Sequence, residues 1–367
     1  MIAEKFHQET EYCTYCPKMC RFVCPTAIAE SRETVTPTGR QTLLHLIQQG
    51  AAGLDKEALS VFHQCTGCGL CTEYCDHDIE IYPIMESVRS AAVASGVEIP
   101  EGQNVRDNYQ QFGNPYGNLL PTYANKVGAR LLQQAQILYV PDVTSLARSP
   151  SSLDSALTVL QYLEADNVAF WPGPELSSGY NLLSFGYTED FKAHAQAFAR
   201  TAEGAGTLVF ASPHDAHTVR ERYPEFGISI RARVLTEAEW LSERLDEIDI
   251  VPRKTRQVLY HDPCTLGRGL GQYEGPRRII ARVNGVAPLE FPWSGQESKC
   301  CGWGGGYAFA VPESAKDVAR ARIEEATELR PDEIVTASPS CAAQLGMAGG
   351  YNIPVYDLMT WLAMRLV

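Results

Sequence analysis

Positive charge is in short supply in this chain. Lys and Arg number 31 against 44 Asp and Glu, a formal net charge of −13. Nucleic-acid phosphates need the opposite sign, so the balance argues against that partner. Long hydrophobic runs are missing as well: none approaches the roughly 20 apolar residues of a membrane span. Any membrane association is therefore expected to be peripheral and through a partner. Residues 1–11 are polar and charged, without the apolar stretch of a secretory signal. The run Gly304-Gly305-Gly306 lacks the G-x-G-x-x-G spacing and the acidic residue that should follow about 20 positions on. No Walker loop is present either. The chain thus shows no flavin or nicotinamide site of its own.

What the chain has is cysteine, 12 in all. Eight of them form two runs of four. Cys65, Cys68, Cys71 and Cys75 follow the C-x2-C-x2-C-x3-C spacing of a [4Fe–4S] ferredoxin site. Thr and Gly between them allow three sulfurs to converge, while the fourth points to a neighbouring cluster. Cys13, Cys16, Cys20 and Cys24 form the second run, one residue longer in the middle gap and closed by Pro25. Exchange of fourth ligands predicts one [4Fe–4S] cluster on Cys13, Cys16, Cys20 and Cys75. The other falls to Cys65, Cys68, Cys71 and Cys24. Zinc prefers four ligands in two separated pairs, and a disulfide framework suits short secreted chains, so both fit less well. Thiols kept as metal ligands suit a reducing, cytoplasmic location. His63 and His77 flank the second run and are expected at its partly exposed rim.

Composition supports a soluble globular protein, 45% hydrophobic and 20% charged over 367 residues, enough for two or three domains. Residues 1–12 read as a polar lead-in. Thr36-Pro37-Thr38-Gly39-Arg40 reads as a turn. Leu43, Leu44 and Ile47 then fall at helical spacing, and Asp55 is placed to cap a short helix carrying Leu59 and Phe62. Residues 84–97 predict an amphipathic helix. Residues 99–125, rich in Gly, Pro, Asn and Tyr, read as a connector packed on the ferredoxin part.

The remainder repeats itself. Residues 137–144 align with 258–265, 176–180 with 299–303, and 209–216 with 335–342. Short apolar runs precede the blocks, and helical spacing links the second to the third in each half. Strand–loop–helix alternation predicts two α/β lobes with mainly parallel sheets, related by a pseudo-twofold axis. The overall class is α+β. The domains expected are a ferredoxin-type domain over 1–98, a connector over 99–130, and lobes over 131–235 and 236–367.

The second lobe carries Cys264, Cys300, Cys301 and Cys341, on loops at the carboxyl ends of predicted strands, where sites form in open α/β sheets. The glycines after Cys301 are expected to let backbone N–H groups approach metal sulfides. His261 is expected to pack or bond the backbone. The first lobe has Val143, Ser177, Ser178 and Asp215 at the matching positions. It reads as a structural remnant; the other possibility is that Ser177, Ser178, His214, Asp215 and His217 line a polar pocket.

This constellation resembles the cysteine-rich CCG domain of the heterodisulfide reductase family, which includes the iron–sulfur subunits of glycolate oxidase and anaerobic glycerol-3-phosphate dehydrogenase. The helical insert between the ferredoxin motifs resembles theirs too. Ser338 stands where the family's last C-x2-C begins. The resemblance implies a third iron–sulfur cluster, cubane or unusual in form, with zinc as the alternative for the same four sulfurs. It implies an electron-transfer subunit working with a flavin-containing dehydrogenase and a separate acceptor. The other function it implies is catalytic: a disulfide- or thiol-directed reductase acting at the third cluster.

Overall fold

The computed structural model describes residues 2–17, 19–128, 136–163, 167–249, 254–348 and 353–366. The expected boundary between connector and first lobe, at 130/131, lies outside them. The N-terminal part is helical. Within the polar lead-in α1 (His7–Tyr15) begins, and it carries Cys13. After α2 (Pro25–Glu30) comes α3 (Pro37–Gln48). The expected turn at 36–40 is in fact the start of α3. Thr36 accepts from Gly39 N as the cap, and Pro37 sits in the first turn, where its missing N–H is no loss. Asp55 caps α4 (Lys56–His63) by accepting from Ala58 N at 2.8 Å. α5 (Ile81–Ala94) begins three residues before its predicted start, because Pro83 is again tolerated in a first turn.

The connector forms α6 (Pro100–Phe112) and α7 (Leu120–Val127). It does not rest on the ferredoxin part alone. Tyr109 Oη pairs with Ser177 Oγ at 2.9 Å, and Tyr123 Oη donates to Trp171 O at 2.9 Å, so its two buried tyrosines anchor it to the first lobe.

Two four-stranded parallel sheets follow. The first has β1 (Ile137–Val140), β2 (Val168–Phe170), β3 (Thr207–Phe210) and β4 (Arg233–Thr236), in the order β2-β1-β3-β4. The second has β5 (Val258–His261), β6 (Leu289–Glu290), β7 (Glu333–Thr336) and β8 (Val355–Asp357), in the order β6-β5-β7-β8. The two orders are the same, as the aligned blocks require. β6 is two exposed residues, so no apolar pattern announces it.

The lobes are not separable at 235/236, which falls inside β4. The helix after β4, Glu237–Ser242, packs on Glu274–Asn284 of the second lobe. In return the helix after β8, Leu358–Leu366, packs on Ser151–Tyr162 of the first. Trp240 and Trp361, both nearly fully buried, belong to one continuous core with Tyr139, Tyr260 and Val335. No helix among the described residues is long and apolar enough to cross a membrane.

The glycine run after Cys301 docks the second lobe on the ferredoxin loop. A Cβ on Gly305, whose φ is +63°, would lie 2.4 Å from Cys65 O; on Gly304 it would lie 2.5 Å from Thr66 O. Gly305→Ala should therefore destabilise the fold by roughly 1–3 kcal/mol. Gly53→Ala, with nothing within 4 Å, should be near neutral. Denaturant unfolding of both variants checks the contrast.

Candidate metal centre

All 12 cysteines are free of disulfide bonds. Cys13 lies in the last turn of α1, Cys20 lies in the 3₁₀ turn Met19–Phe22, and Cys24 directly precedes α2. The Cys13 thiol is pushed up to about 12, first by burial and then by its neighbours Cys20, Cys75 and Cys16. Those four sulfurs thus form one group. Cys75 Sγ also accepts from Ile79 N at 3.4 Å.

The loop of Cys65, Cys68 and Cys71 turns through Gly67 and Gly69, at φ +67° and +73°, a backbone region open to glycine. Cys24, Cys65, Cys68 and Cys71 line one cavity together with Arg40 and Tyr82. The structure therefore groups Cys24 with the second motif and Cys75 with the first.

In the second lobe Cys264 follows β5, and Cys341 sits in the first turn of the helix Pro339–Gly346 after β7. Cys264, Cys300, Cys301 and Cys341 are all buried. Cys301 Sγ and Cys341 Sγ are 3.1 Å apart, well beyond the roughly 2.05 Å of a disulfide. The neighbouring thiols of Cys264, Cys301 and Cys68, together with burial, push the pKa of Cys300 well up. The contact with Cys68 crosses between domains and was not legible in either motif alone.

Gly302 N donates to Cys300 Sγ at 3.3 Å, as expected of the glycine run. Gly305 N does not point to sulfur; it donates to Tyr180 Oη at 2.5 Å. His261 lies within 4.8 Å of both Cys301 and Cys341 at its ring nitrogen. The ring also packs on Phe291, as expected. Arg322 Nε donates to His261 Nδ1 at 3.4 Å, so a neutral ring carries its proton on Nε2. Burial lowers the pKa of His261.

The first lobe reproduces this arrangement in polar atoms. Ser178 N and Oγ both donate to Asp215 Oδ1, at 2.8 and 2.5 Å, where the second lobe brings Cys301 to Cys341. Ser177 O takes His194 Nε2 at 2.7 Å, and Ser178 O takes Tyr223 Oη at 2.9 Å. Ser177, Ser178 and Asp215 are buried and engaged in these bonds. Val143 is buried.

His214 and His217 do face an opening. A broad cleft between the ferredoxin part and the lobes reaches Cys68 and Cys264 past Tyr82, Tyr180, His214, His217 and Arg268. His214 Nδ1 is buried without a partner. His63 is not at a rim: it is 2% exposed and packs on Phe185. His77 is exposed and stacks on Tyr12.

The donor sets fit iron–sulfur clusters. Each group offers soft sulfur ligands, buried or half-buried, with N–H groups or guanidinium close by. His261 with Cys301 and Cys341 would also suit zinc.

Residues 9–79 match the 4Fe-4S dicluster domain family, and residues 258–346 match the cysteine-rich domain family. The chain is 27% identical over 295 residues to a fumarate reductase (CoM/CoB) subunit of Methanothermobacter marburgensis, covering 79% of this chain and 57% of that protein. It therefore spans little more than half of that relative's length. It is 26% identical over 296 residues to a dihydromethanophenazine:CoB–CoM heterodisulfide reductase subunit of Methanosarcina mazei, covering 77% of this chain and 72% of the relative. A crystal structure of a hypothetical protein from Helicobacter pylori shares the fold at TM-score 0.56 and 11% identity, covering 100% of this chain and 76% of that one.

Burial holds the His214 pKa down to about 4, against about 6.5 in an unfolded chain. The unfolded state therefore binds the proton first, and this term removes stability as pH falls below about 6.5. His214→Gln should relieve about 1 kcal/mol of destabilisation at pH 5.5 relative to pH 7.5. Unfolding free energies of wild type and variant at the two pH values measure it.

Proposed function

We propose that this chain, an iron–sulfur protein related to heterodisulfide reductase through its dicluster and cysteine-rich domains, is an electron-transfer component of an oxidoreductase complex. In this reading Cys13, Cys16, Cys20 and Cys75 hold an outer [4Fe–4S] cluster. Cys24, Cys65, Cys68 and Cys71 hold an inner one. Cys264, Cys300, Cys301 and Cys341 hold a third. Such clusters, when bound, take up and release single electrons.

The observation that carries the reading is the approach of the Cys68 and Cys300 thiols, close enough for each to shift the other's protonation. It brings a ligand candidate of the inner site against one of the third, so the three donor sets form a continuous row. The chain's part is to hold the donors in order, bury the third set and supply an N–H donor to sulfur. The partners we infer are a flavin-containing dehydrogenase subunit and a separate acceptor, with the complex on the cytoplasmic side.

One observation favours a catalytic role as a second reading. The cleft reaches Cys264 and Cys68, with His214 Nδ1 unpartnered beside it. A disulfide or thiol substrate entering there would meet both a sulfur donor and an imidazole able to move a proton.

Replacing Cys300 and Cys301 together by Ser should remove one cluster's iron and sulfide and leave the ferredoxin pair, whose other donors lie in a separate helical unit. Electron delivery through the complex should stop. Iron and sulfide analysis with EPR at low temperature reads the first outcome. Full iron content with full turnover in the double variant would confine the electron path to the ferredoxin part. A colourless wild-type protein containing zinc would dispose of the reading altogether.

A further inference from the structure

The two ferredoxin sites differ in one respect that cysteine spacing does not reveal. Arg40 is 1% exposed and lies against the inner donor set. Its Nη2 donates to Thr26 Oγ1 at 2.7 Å and to Gln64 O, and stands 3.9 Å from Cys24 Sγ. None of these partners is a carboxylate. Its Nε is buried with no partner at all.

An unpaired buried cation is costly, by several kcal/mol in ordinary proteins. It persists where negative charge stands beside it, and the neighbours that favour its charge are Cys65, Cys24 and Cys71. Among the described residues, the groups that act on Cys13 of the outer set are Cys20, Cys75, Cys16 and the carboxylate of Glu9, with no cation among them. A second guanidinium flanks the far side of the inner loop. Arg268 Nε donates to Cys68 O at 2.6 Å, and its Nη2 is buried without a partner.

We propose that Arg40 is the resident counter-charge of the inner site, and that it makes the cluster on Cys24, Cys65, Cys68 and Cys71 easier to reduce than the one on Cys13, Cys16, Cys20 and Cys75. This rests on the reading of both sets as cluster sites. Adding an electron increases negative charge at the inner site, and a fixed cation in a poorly solvated setting stabilises that state more than the oxidised one. An electron arriving at the outer set would then settle on the inner set, beside Cys300. The row acquires a direction, from the exposed ferredoxin end towards the second lobe. Arg40 is a positioning residue for charge and touches no substrate.

The test is an EPR-monitored redox titration of the anaerobic, iron-loaded full chain, with Arg40→Gln and Arg40→Lys beside the wild type. In Arg40→Gln one midpoint should fall, making that cluster at least tenfold harder to reduce at a fixed potential, about 59 mV for one electron. The other midpoints should stay. Arg40→Lys, which keeps the charge, should show a smaller fall. If glutamine removes the inner cluster's iron while lysine retains it, the charge role also stands. Unchanged midpoints in Arg40→Gln at full iron content overturn the proposal. So does equal loss of the inner iron in both variants, which would make Arg40 a purely structural strut. Cys65→Ser serves as the control: unchanged iron content there would remove the cluster reading itself, a different failure from an unmoved midpoint.

Discussion

A single buried guanidinium joins the three parts of this molecule. Arg89 on α5 is 0% exposed. It donates to Phe62 O through Nε and Nη2, at 3.1 and 2.7 Å, and to Cys65 O at 3.3 Å. Its Nη1 reaches Ser184 O of the first lobe at 2.7 Å and Gly305 O of the second at 2.9 Å. A planar fork of N–H donors suits this task, because carbonyls from different segments must be met at fixed angles. Two glycines clear the space. Gly305 lies against Cys65 O, and a Cβ on Gly186 would fall 2.4 Å from the Arg89 carbonyl carbon. Together with the Arg268 bond to Cys68 O, this staple fixes the loop carrying Cys65 and Cys68 against the second lobe.

The first lobe gains a meaning from the same frame. It lacks cysteine but not structure: Ser178 and Asp215 replace a sulfur contact by hydrogen bonds, and Tyr109, His194 and Tyr223 satisfy the atoms around them. The exchanged helices explain why it is retained physically. Trp361 of the last helix is buried in the core shared with the first lobe, so the second lobe alone would expose that face to water. A cysteine-free lobe can thus be an essential half of the scaffold.

Much of this was legible because spacing maps directly onto geometry. The two four-cysteine runs, the Asp55 cap and the repeated blocks each depend on local sequence; Asp55 caps α4, and the two lobes share one strand order. What stayed hidden depends on partners remote in sequence. Arg89 bonds only to backbone carbonyls, which carry no residue identity to recognise. Arg40 sits in a Thr-Pro-Thr-Gly-Arg segment whose Pro and Gly suggest a turn, although Pro in a first helical turn is favourable. His261 faces Cys301 and Cys341 only once β5 and β7 pair, with His261 opposite Thr336. The glycine run was tied to sulfur through Gly302, yet Gly304 and Gly305 are dictated by the carbonyls of another domain.

Ser338 shows how a departure from a family pattern can be structural. It stands where the last C-x2-C of the family begins. In the fold Ser338 is fully buried and caps the helix Pro339–Gly346, accepting from Cys341 N at 3.4 Å. Ser212 does the same in the first lobe, accepting from Asp215 N at 3.3 Å. Replacing such a cap by a residue that cannot accept costs typically about 1 kcal/mol. Here the cap also sets the direction of the residue three positions on, Cys341 in one lobe and Asp215 in the other. The serine therefore orients Cys341 through the backbone, and Cys264, Cys300, Cys301 and Cys341 are the whole cysteine set of the lobe.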